Sequence, residues 1–454
     1  MVTVLAGSGL HARAESVAQA GSTLLLPELV VSASRTEVDP RAVGSAVTVI
    51  TAEEIERRQV RMVADLLRQV PGVAVNRTGG MAGLTQVRIR GAEANHTLVV
   101  IDGVEANDPL SGSEFDFSSL LTDDIERIEI LRGPQSAIWG SDAIGGVINI
   151  VTKRGRPGYR AHAAAEAGSF GTYRLRAGVA GGTERMRGSV SGMFHDSDGF
   201  DISGRGAPDG YRNSTLNATG DVDVSEQFTF GVNGRYTRIR GETDPQDFAW
   251  PDTPTQGLII DGDEHYRAEH LFGRAQARLR LFDGAWEQTL GTGYTQVDRN
   301  NYAAGNRTSR TRGAKTKLDY QSTLRFDTPD IAGADHALTF YAEREREDYR
   351  NRNTGTPAAN QNRGTTNYGY VGEYRVGLWE QLFLSGAVRF DDNDGFRNAT
   401  TWRTTAAYVI PEAGTRIRAS YGTGFTKPTF FELFGFNPNT FAGNPDLKAE
   451  RSKG

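Results

Sequence analysis

From residue 158 to the C-terminus, apolar and polar residues alternate with a period of two. Tyr173, Leu175, Ala177 and Val179 are interleaved with Arg174, Arg176 and Gly178, and Met186, Val190 and Phe194 with Arg187, Ser189 and Ser191. The same beat runs through residues 216–224, 228–236, 318–326, 368–378, 382–390, 402–410 and 417–421. Segments of about ten residues with one apolar and one polar face predict antiparallel strands that span a bilayer around a wet lumen. A β-sandwich or propeller also alternates, but here the second face carries Arg, Glu, Asn and Thr. Tyr236, Trp286, Tyr294, Tyr368 and Trp402 near strand ends fit the aromatic girdles of a membrane protein. Connections are short at 283–285 and 412–414, and long and polar at 195–213, 241–264, 300–314 and 350–366.

Before residue 157 the pattern is mixed. Residues 46–50 alternate as a strand, and Thr51 with Glu54 predicts a capping box opening a helix. Val63, Leu66, Leu67 and Val70 share one face of a second helix, which Pro71-Gly72 ends. Short strands follow at 73–75, 86–90 and 97–101, with a turn at Asp102-Gly103. Residues 123–127 read as a helical turn with an acidic start, 128–131 as a strand, and 147–151 as a strand buried on both faces. Two stretches, NRTGGMAGL (76–84) and EANDPLSGSEF (105–115), have neither period and read as flexible loops.

Residues 1–14 fit the back of a secretory signal, with Ala12-Arg13-Ala14 as a cleavage site, and 15–45 as a flexible segment. Within it LLLPELVVSAS (24–34) has a Pro that blocks a helix and a short β-prone run, able to add a strand to another protein's sheet edge.

Composition narrows the functional classes. The absence of cysteine removes disulfides, zinc-thiolate sites and thiol nucleophiles. A net charge of -5 gives no argument for nucleic acid. A mean hydropathy of -0.46 with no run of 18 apolar residues excludes a transmembrane helix, but not a barrel, whose strands are half polar. No phosphate loop and no G-x-S-x-G string occur, and His265 and His270 sit on a strand pattern, so no enzyme is expected. In 195–213, Asp196, Asp198, Asp201 and Asp209 offer hard oxygen donors suited to Ca²⁺, without EF-hand spacing; a solvated acidic loop reads equally well.

The stretch DDIERIEILRGPQSAIWGSDAIGGVINIVTK (123–153), with VPGVAV, VRIRG and LVVIDGV, resembles the plug domain of TonB-dependent outer-membrane receptors. The resemblance implies a mainly β protein: a small α/β plug (46–156) inside an antiparallel transmembrane β-barrel (157–454). It makes Glu28, Leu29, Val30, Val31, Ser32 and Ala33 a TonB box, gripped from the periplasm by the energy-coupling protein TonB. Thr78, Gly79, Gly80, Met81, Leu84, Asn107, Asp108, Leu110 and Ser111 become substrate contacts on apical plug loops. Arg90 and Arg132, otherwise read as surface solvation, become a plug–barrel lock with Glu450. Within the family, NHTLVVIDGV, TWRTTAAY and ASYGTGFTKPTFFELFGF followed by GNPDLKAERSK resemble cobalamin receptors, and the acidic loop resembles their calcium loop at Asp201 and Asp209. No His lies between Thr426 and Asn444, unlike haem receptors; siderophore receptors are the alternative. A corrinoid or siderophore ligand, outer-membrane lipid and a monomer are the implied partners and state. About 13 strands are legible where plugged transporters use 22, so the chain is expected to be a C-terminally incomplete barrel that does not transport alone.

Overall fold

The computed structural model describes residues 33–110, 112–204, 206–247, 253–438 and 440–454. The first unit contains β1 (Ala46–Thr51), α1 (Ala52–Arg58), α2 (Val63–Leu67), β2 (Val73–Arg77), β3 (Thr85–Ile89), β4 (Thr97–Ile101), β5 (Val104–Glu105), β6 (Ile125–Arg132), α3 (Ser136–Trp139) and β7 (Gly146–Thr152). Its five-stranded sheet has the order β1-β6-β7-β4-β5, with β4 and β7 parallel, and β2-β3 forms a separate hairpin. The continuous apolar runs of β4 and β7 are explained by this central placement, which buries both faces. Val63, Leu66 and Leu67 pack as one helix face against Ile89, Val99, Ile128 and Ile148, and Val70 joins them from the turn after α2, which ends at Leu67, short of Pro71-Gly72. Burial of such side chains stabilises the unit by about 1.5–3 kcal/mol each.

Three local expectations are corrected here. Residues 123–127 are not a helical turn: β6 begins at Ile125, and the two aspartates before it point at the surrounding wall. Only half of the capping box forms at Thr51, whose hydroxyl accepts from the Glu54 N–H, because the Glu54 carboxylate turns to Arg58. The segment before β1 is not loose from Ala33 onward. Ala33, Val38 and Val43 are buried, and Asp39 caps a 3₁₀ turn at Pro40–Ala42.

Thirteen antiparallel strands follow. They are β8 (Gly158–Gly168), β9 (Thr172–Gly182), β10 (Met186–Ser197), β11 (Tyr211–Asp223), β12 (Phe228–Glu242), β13 (His265–Leu281) and β14 (Trp286–Ala303), then β15 (Asn306–Thr328), β16 (Ala334–Asn353), β17 (Gln361–Leu378), β18 (Leu382–Asn393), β19 (Ala399–Ile410) and β20 (Thr415–Thr426). After them come α4 (Phe430–Phe434), the small hairpin β21 (Phe436–Asn437) with β22 (Phe441–Ala442), and β23 (Glu450–Lys453), which pairs with β20 as a fourteenth strand. Each strand pairs with its sequence neighbour, and the sheet, not closed on itself, curves around the first unit. Leu175, Val190, Leu216, Leu290, Leu318, Leu338 and Val388 face outward and are exposed, as a lipid-facing wall requires.

One end of the sheet has only short turns, at 183–185, 224–227, 282–285, 329–333, 379–381 and 411–414; the other carries 198–210, 243–264 and 427–449. Two segments expected as long loops are instead strand. Residues 300–314 form the meeting ends of β14 and β15 around the tight turn Ala304-Gly305, and most of 350–366 belongs to β16 and β17. These strands, of 18 to 23 residues, exceed the 9–11 that cross a bilayer, so their outer halves are polar on both faces.

Candidate functional site at the plug–wall boundary

The first unit sits inside the curve of the sheet. Its 78–84 and 106–116 loops face the long-loop end, and its N-terminal segment runs along the short-turn end. The hairpin loop is shaped from within: the Thr78 N–H donates to the Leu84 carbonyl at 3.0 Å. A Cβ on Gly83 would lie 1.7 Å from the Thr78 carbonyl oxygen, so only glycine fits there. Gly79 and Gly80 lie against Ile202 from the long loop 198–210, and Met81 packs against Tyr211, Ile239 and Tyr266 of the wall and against Met62, Leu121 and Met193.

The second loop contains a residue with a different role from the one expected. Asn107 is buried; its side chain accepts from Val99 N–H at 2.7 Å and donates to the carbonyls of Thr97 and Ser113. It staples the loop to β4 and does not face the open end. Asp108 accepts from the Leu110 N–H at 2.9 Å, and burial pushes its carboxyl up to about 8 despite that bond and the nearby Arg299. Leu110 packs with Val297 and Tyr349 against Phe430 of α4, and the close approach is possible because Gly313 has no side chain. Ser111 lies outside the described residues.

The lock is built from other residues than those predicted. Arg132 donates to the Pro71 carbonyl at 2.6 Å and to the Thr48 hydroxyl at 3.0 Å, and burial together with Arg418 and Arg90 lowers its pKa. Glu450 instead lies 3.4 Å from His96. The reason is position: Arg90 and Arg132 flank Gly72 and Gly133 at the short-turn end, whereas β23 presents Glu450 beside the plug's 96 region. Among the described residues, the buried plug carboxylates that pair with the wall are Asp123 with Arg174 (2.5 Å) and Arg176 (3.0 Å), Asp124 with Arg235, and Glu105 with Lys315 (3.2 Å) and Lys317. The more exposed Arg61 and Arg154 reach Glu166 and Asp221 at 3.7 and 3.8 Å. Burial raises the Asp124 carboxyl and Arg235 opposes it. Lys315 and Lys317 stand opposite Glu347 and Glu345 in the β15–β16 register, so the wall lysines keep partners of their own. That signal is present in the sequence: KTKLD and EREREDY put like charges on alternate, inward positions of neighbouring strands.

At the short-turn end, the Ser34 hydroxyl donates to Glu373 at 2.7 Å, Arg403 donates to the Ala33 carbonyl at 3.0 Å, and Arg375 reaches Thr36. The Arg35 guanidinium lies 3.6 Å from the Tyr341 ring centre and 4.9 Å from that of Trp139, a cation–π sandwich between wall and plug. Of the predicted TonB box, Ala33 is buried here; Glu28, Leu29, Val30, Val31 and Ser32 lie outside the described residues.

The four loop aspartates do not converge. Asp196 forms a two-toothed pair with Arg212 at 2.7 and 3.0 Å. Asp201 folds onto its own turn, where the Gly206 N–H, the Ser203 hydroxyl and the Gly204 N–H hold it below the usual carboxylate range. Asp198 lies against Gly171, and Asp209 accepts from Ile202 N–H, its carboxyl pushed up to about 6 by burial and by neighbouring carboxylates. Among the described residues no group of three or more His, Cys, Asp or Glu side chains is placed to hold a metal ion. The donors therefore do not fit Ca²⁺ as they stand.

The sequence matches the family described as TonB-dependent Receptor Plug Domain over residues 39–147, and TonB dependent receptor-like, beta-barrel over 158–454. Vitamin B12 transporter BtuB of Photobacterium profundum is 33% identical over 433 residues, covering 94% of this chain and 66% of that protein. The chain thus spans just under two thirds of that relative's length. Among solved structures, the siderophore receptor PirA from Acinetobacter baumannii has a TM-score of 0.72 at 16% identity, over 91% of this chain and 67% of its own. The ferric enterobactin receptor PfeA of Pseudomonas aeruginosa, solved with enterobactin, has a TM-score of 0.70 at 19% identity, over 90% and 68%. At these identities the two structures establish the fold alone. With the plug enclosed by a lipid-facing sheet and both family matches in sequence order, the chain belongs to the TonB-dependent receptors of the outer membrane.

Proposed function

We propose that the full-length receptor imports a large, scarce nutrient across the outer membrane, and that the nutrient is a corrinoid of the cobalamin class. The observation that carries the choice of substrate is the 33% identity to a vitamin B12 transporter along nearly the whole chain. Ligand docks on the 78–84 and 106–116 loops and the long outer loops around them. TonB grips residues 28–33 from the periplasm and pulls, and the receptor acts as a monomer. The chain supplies binding and gating, with energy coming from the partner. The buried ion pairs are consistent with a plug that holds firm until it is pulled, because each is costly to break singly.

Binding of cyanocobalamin and of ferric siderophores to the full-length receptor, with and without Ca²⁺, tests this reading. Corrinoid binding is expected, without dependence on Ca²⁺, since the loop aspartates do not converge. Siderophore binding with no corrinoid binding would move the substrate to the class of the solved neighbours. Deletion of residues 28–33 is expected to leave binding intact and abolish uptake; unchanged uptake would overturn the coupling.

A further inference from the structure

The plug fits its wall unequally on its two sides. On the β18–β20 side, α3 packs directly against the sheet: Ala137 and Ile138 share a buried cluster with Ala387, and the Ser136 hydroxyl donates to and accepts from the backbone of Phe425. Ser141 and Asp142 also meet Thr426 there, at 3.4 and 3.0 Å. Toward β12–β15 the plug touches the wall through Asp124, Glu105 and Leu110, and below these contacts the short-turn halves of the strands stand away from it. A cavity of about 640 Å³ at the short-turn end and another of about 260 Å³ above it share Glu37, Gln276, Arg278 and Arg280, so they form one continuous seam. The upper part ends at Glu105 and Lys317, below the apical loops.

The chemistry of the seam is directional. β13 presents Arg274, Gln276, Arg278 and Arg280 to it at successive inward positions. Of the three arginines, Arg274 pairs with Asp319 at 2.7 Å, while Arg278 and Arg280 share the single carboxylate of Glu287 at 3.9 and 3.3 Å. In the upper cavity six cationic side chains face four carboxylates. The Nε of Arg35 is buried without a hydrogen-bond partner among the described residues, and that of Arg278 is buried with the Glu287 carboxylate at 3.9 Å, beyond hydrogen-bond reach. Such donors are matched by a passing anionic oxygen, because a guanidinium offers several N–H groups in a fixed fork. Arg35 closes the seam sideways, held by its rings and by Gln321, which donates to its carbonyl at 3.2 Å. It lies two residues beyond the segment on which a pull would act.

We infer that this seam is a built passage for a solute bearing anionic groups, lined by Arg274, Arg278 and Arg280, and that Arg35 is its removable gate. The plug stays anchored through α3 while the 33–37 segment withdraws and Glu105 leaves Lys315 and Lys317. The inference rests on the import reading above for its traffic, but the location and charge of the seam stand apart from it.

Because the chain has no cysteine, the test can use single and paired cysteines in the full-length receptor in outer membranes. Gln276→Cys is treated with two thiol reagents of similar size, one carrying a sulfonate and one a quaternary ammonium. The sulfonate reagent is expected to react about tenfold faster, the scale of electrostatic focusing in a charged cleft, with the difference shrinking in high salt. Equal rates, a faster cationic reagent, or no labelling by either would overturn the passage. Two bridged pairs then test where the plug opens. Glu105→Cys/Lys317→Cys, cross-linked across the seam, is expected to abolish energised uptake while ligand binding persists. Ser141→Cys/Thr426→Cys, cross-linked on the anchored side, is expected to leave uptake within about twofold of the uncross-linked protein. Loss of uptake from the anchored-side bridge, or its survival with the seam bridged, would overturn the inference. An unmodified receptor that imports nothing would instead defeat the import reading and leave the labelling rates to decide the seam.

Discussion

Arg174 meets Asp123 at 2.5 Å inside the curve of the sheet, with the two side chains only 6% and 2% exposed. The pair joins the first helix-poor corner of the plug to the second wall strand, and Arg176 adds a contact at 3.0 Å. Removing one partner of a buried pair costs about 3–5 kcal/mol where the other charge is left without compensation, and less here, because Arg174 keeps Glu166 at 3.5 Å. Asp123→Asn is therefore expected to lower the unfolding temperature of the detergent-solubilised receptor and to loosen the plug. Asp123→Leu with Arg174→Leu should recover part of the loss, because the buried charge goes too and the Arg176 left behind is partly exposed to water. A double-mutant cycle by thermal unfolding checks this; simple additivity of the two single changes would refute the coupling.

The other two locks should break differently. Asp124 is the carboxylate that meets Arg235, and among the described residues no second one lies within ion-pair distance of that arginine, whose Nη2 already lacks a hydrogen-bond partner. Glu105 faces lysines that keep Glu343, Glu345 and Glu347. Asp124→Asn is expected to cost about 3–5 kcal/mol, and Glu105→Gln clearly less, since Lys315 and Lys317 stay paired. Unfolding temperatures of the two variants, measured side by side, decide it; equal losses would mean that the wall carboxylates do not compensate.

The division of the chain into plug and wall is legible because lipid imposes a strict period of two on one side of every strand. Tyr173, Leu175 and Val179 face out and Arg174 and Arg176 face in, as their alternation implies. Helix α2 is legible from Val63, Leu66 and Leu67, although it ends at Leu67 and Val70 reaches the same core from the following turn. Where the period of two no longer marks an apolar face, the pattern misleads: residues 300–314 extend past the bilayer, have no apolar face, and look like loop. The locks escape the sequence for another reason. Asp123 and Arg174 are 51 residues apart and Asp124 and Arg235 are 111 apart, and nothing local pairs them. Arg90 and Arg132 stand out only by analogy of sequence position, and backbone carbonyl and hydroxyl groups of the plug itself hold Arg132. Asn107 looks like a loop polar group free for ligand because sequence does not show which side chain turns inward to satisfy a strand's backbone.

Asp108 gives the plug a pH dependence of definite sign. Its carboxyl titrates near 3.8 when unfolded and at about 8 in the folded protein, so the folded state holds a proton that the unfolded chain releases. Across that window the unfolded state binds fewer protons, and stability falls as pH rises. Glu114 and Asp116 on the same loop and Arg299 on β14 face it and shape the curve. Asp108→Asn keeps an acceptor for the Leu110 N–H and removes the titration. The variant is expected to gain stability over the parent at pH 8 and to match it near pH 4. Unfolding temperatures across that range check the slope, and a constant offset between the two proteins would contradict it.

Gly83 sets the shape of the apical hairpin loop more strictly than any side chain on it. A Cβ there would stand 1.7 Å from the Thr78 carbonyl oxygen and 2.6 Å from its carbon, both backbone atoms that no rotamer change can move aside. The Gly83 N–H also donates to the Gly80 carbonyl at 3.1 Å, so the loop closes on itself twice within seven residues. Gly83→Ala must therefore rebuild residues 78–84, releasing Gly79 and Gly80 from Ile202 and Met81 from Tyr211 and Tyr266. Backbone strain of about 1–3 kcal/mol is enough to weaken binding roughly five- to a hundredfold if this loop carries the ligand. The control is Gly192→Ala on β10, where a Cβ meets nothing within 4 Å and neither binding nor stability should change. Titration of cyanocobalamin against both variants reads the difference: a loss with Gly83→Ala alone assigns the hairpin loop to the binding surface, and equal affinity in both removes it.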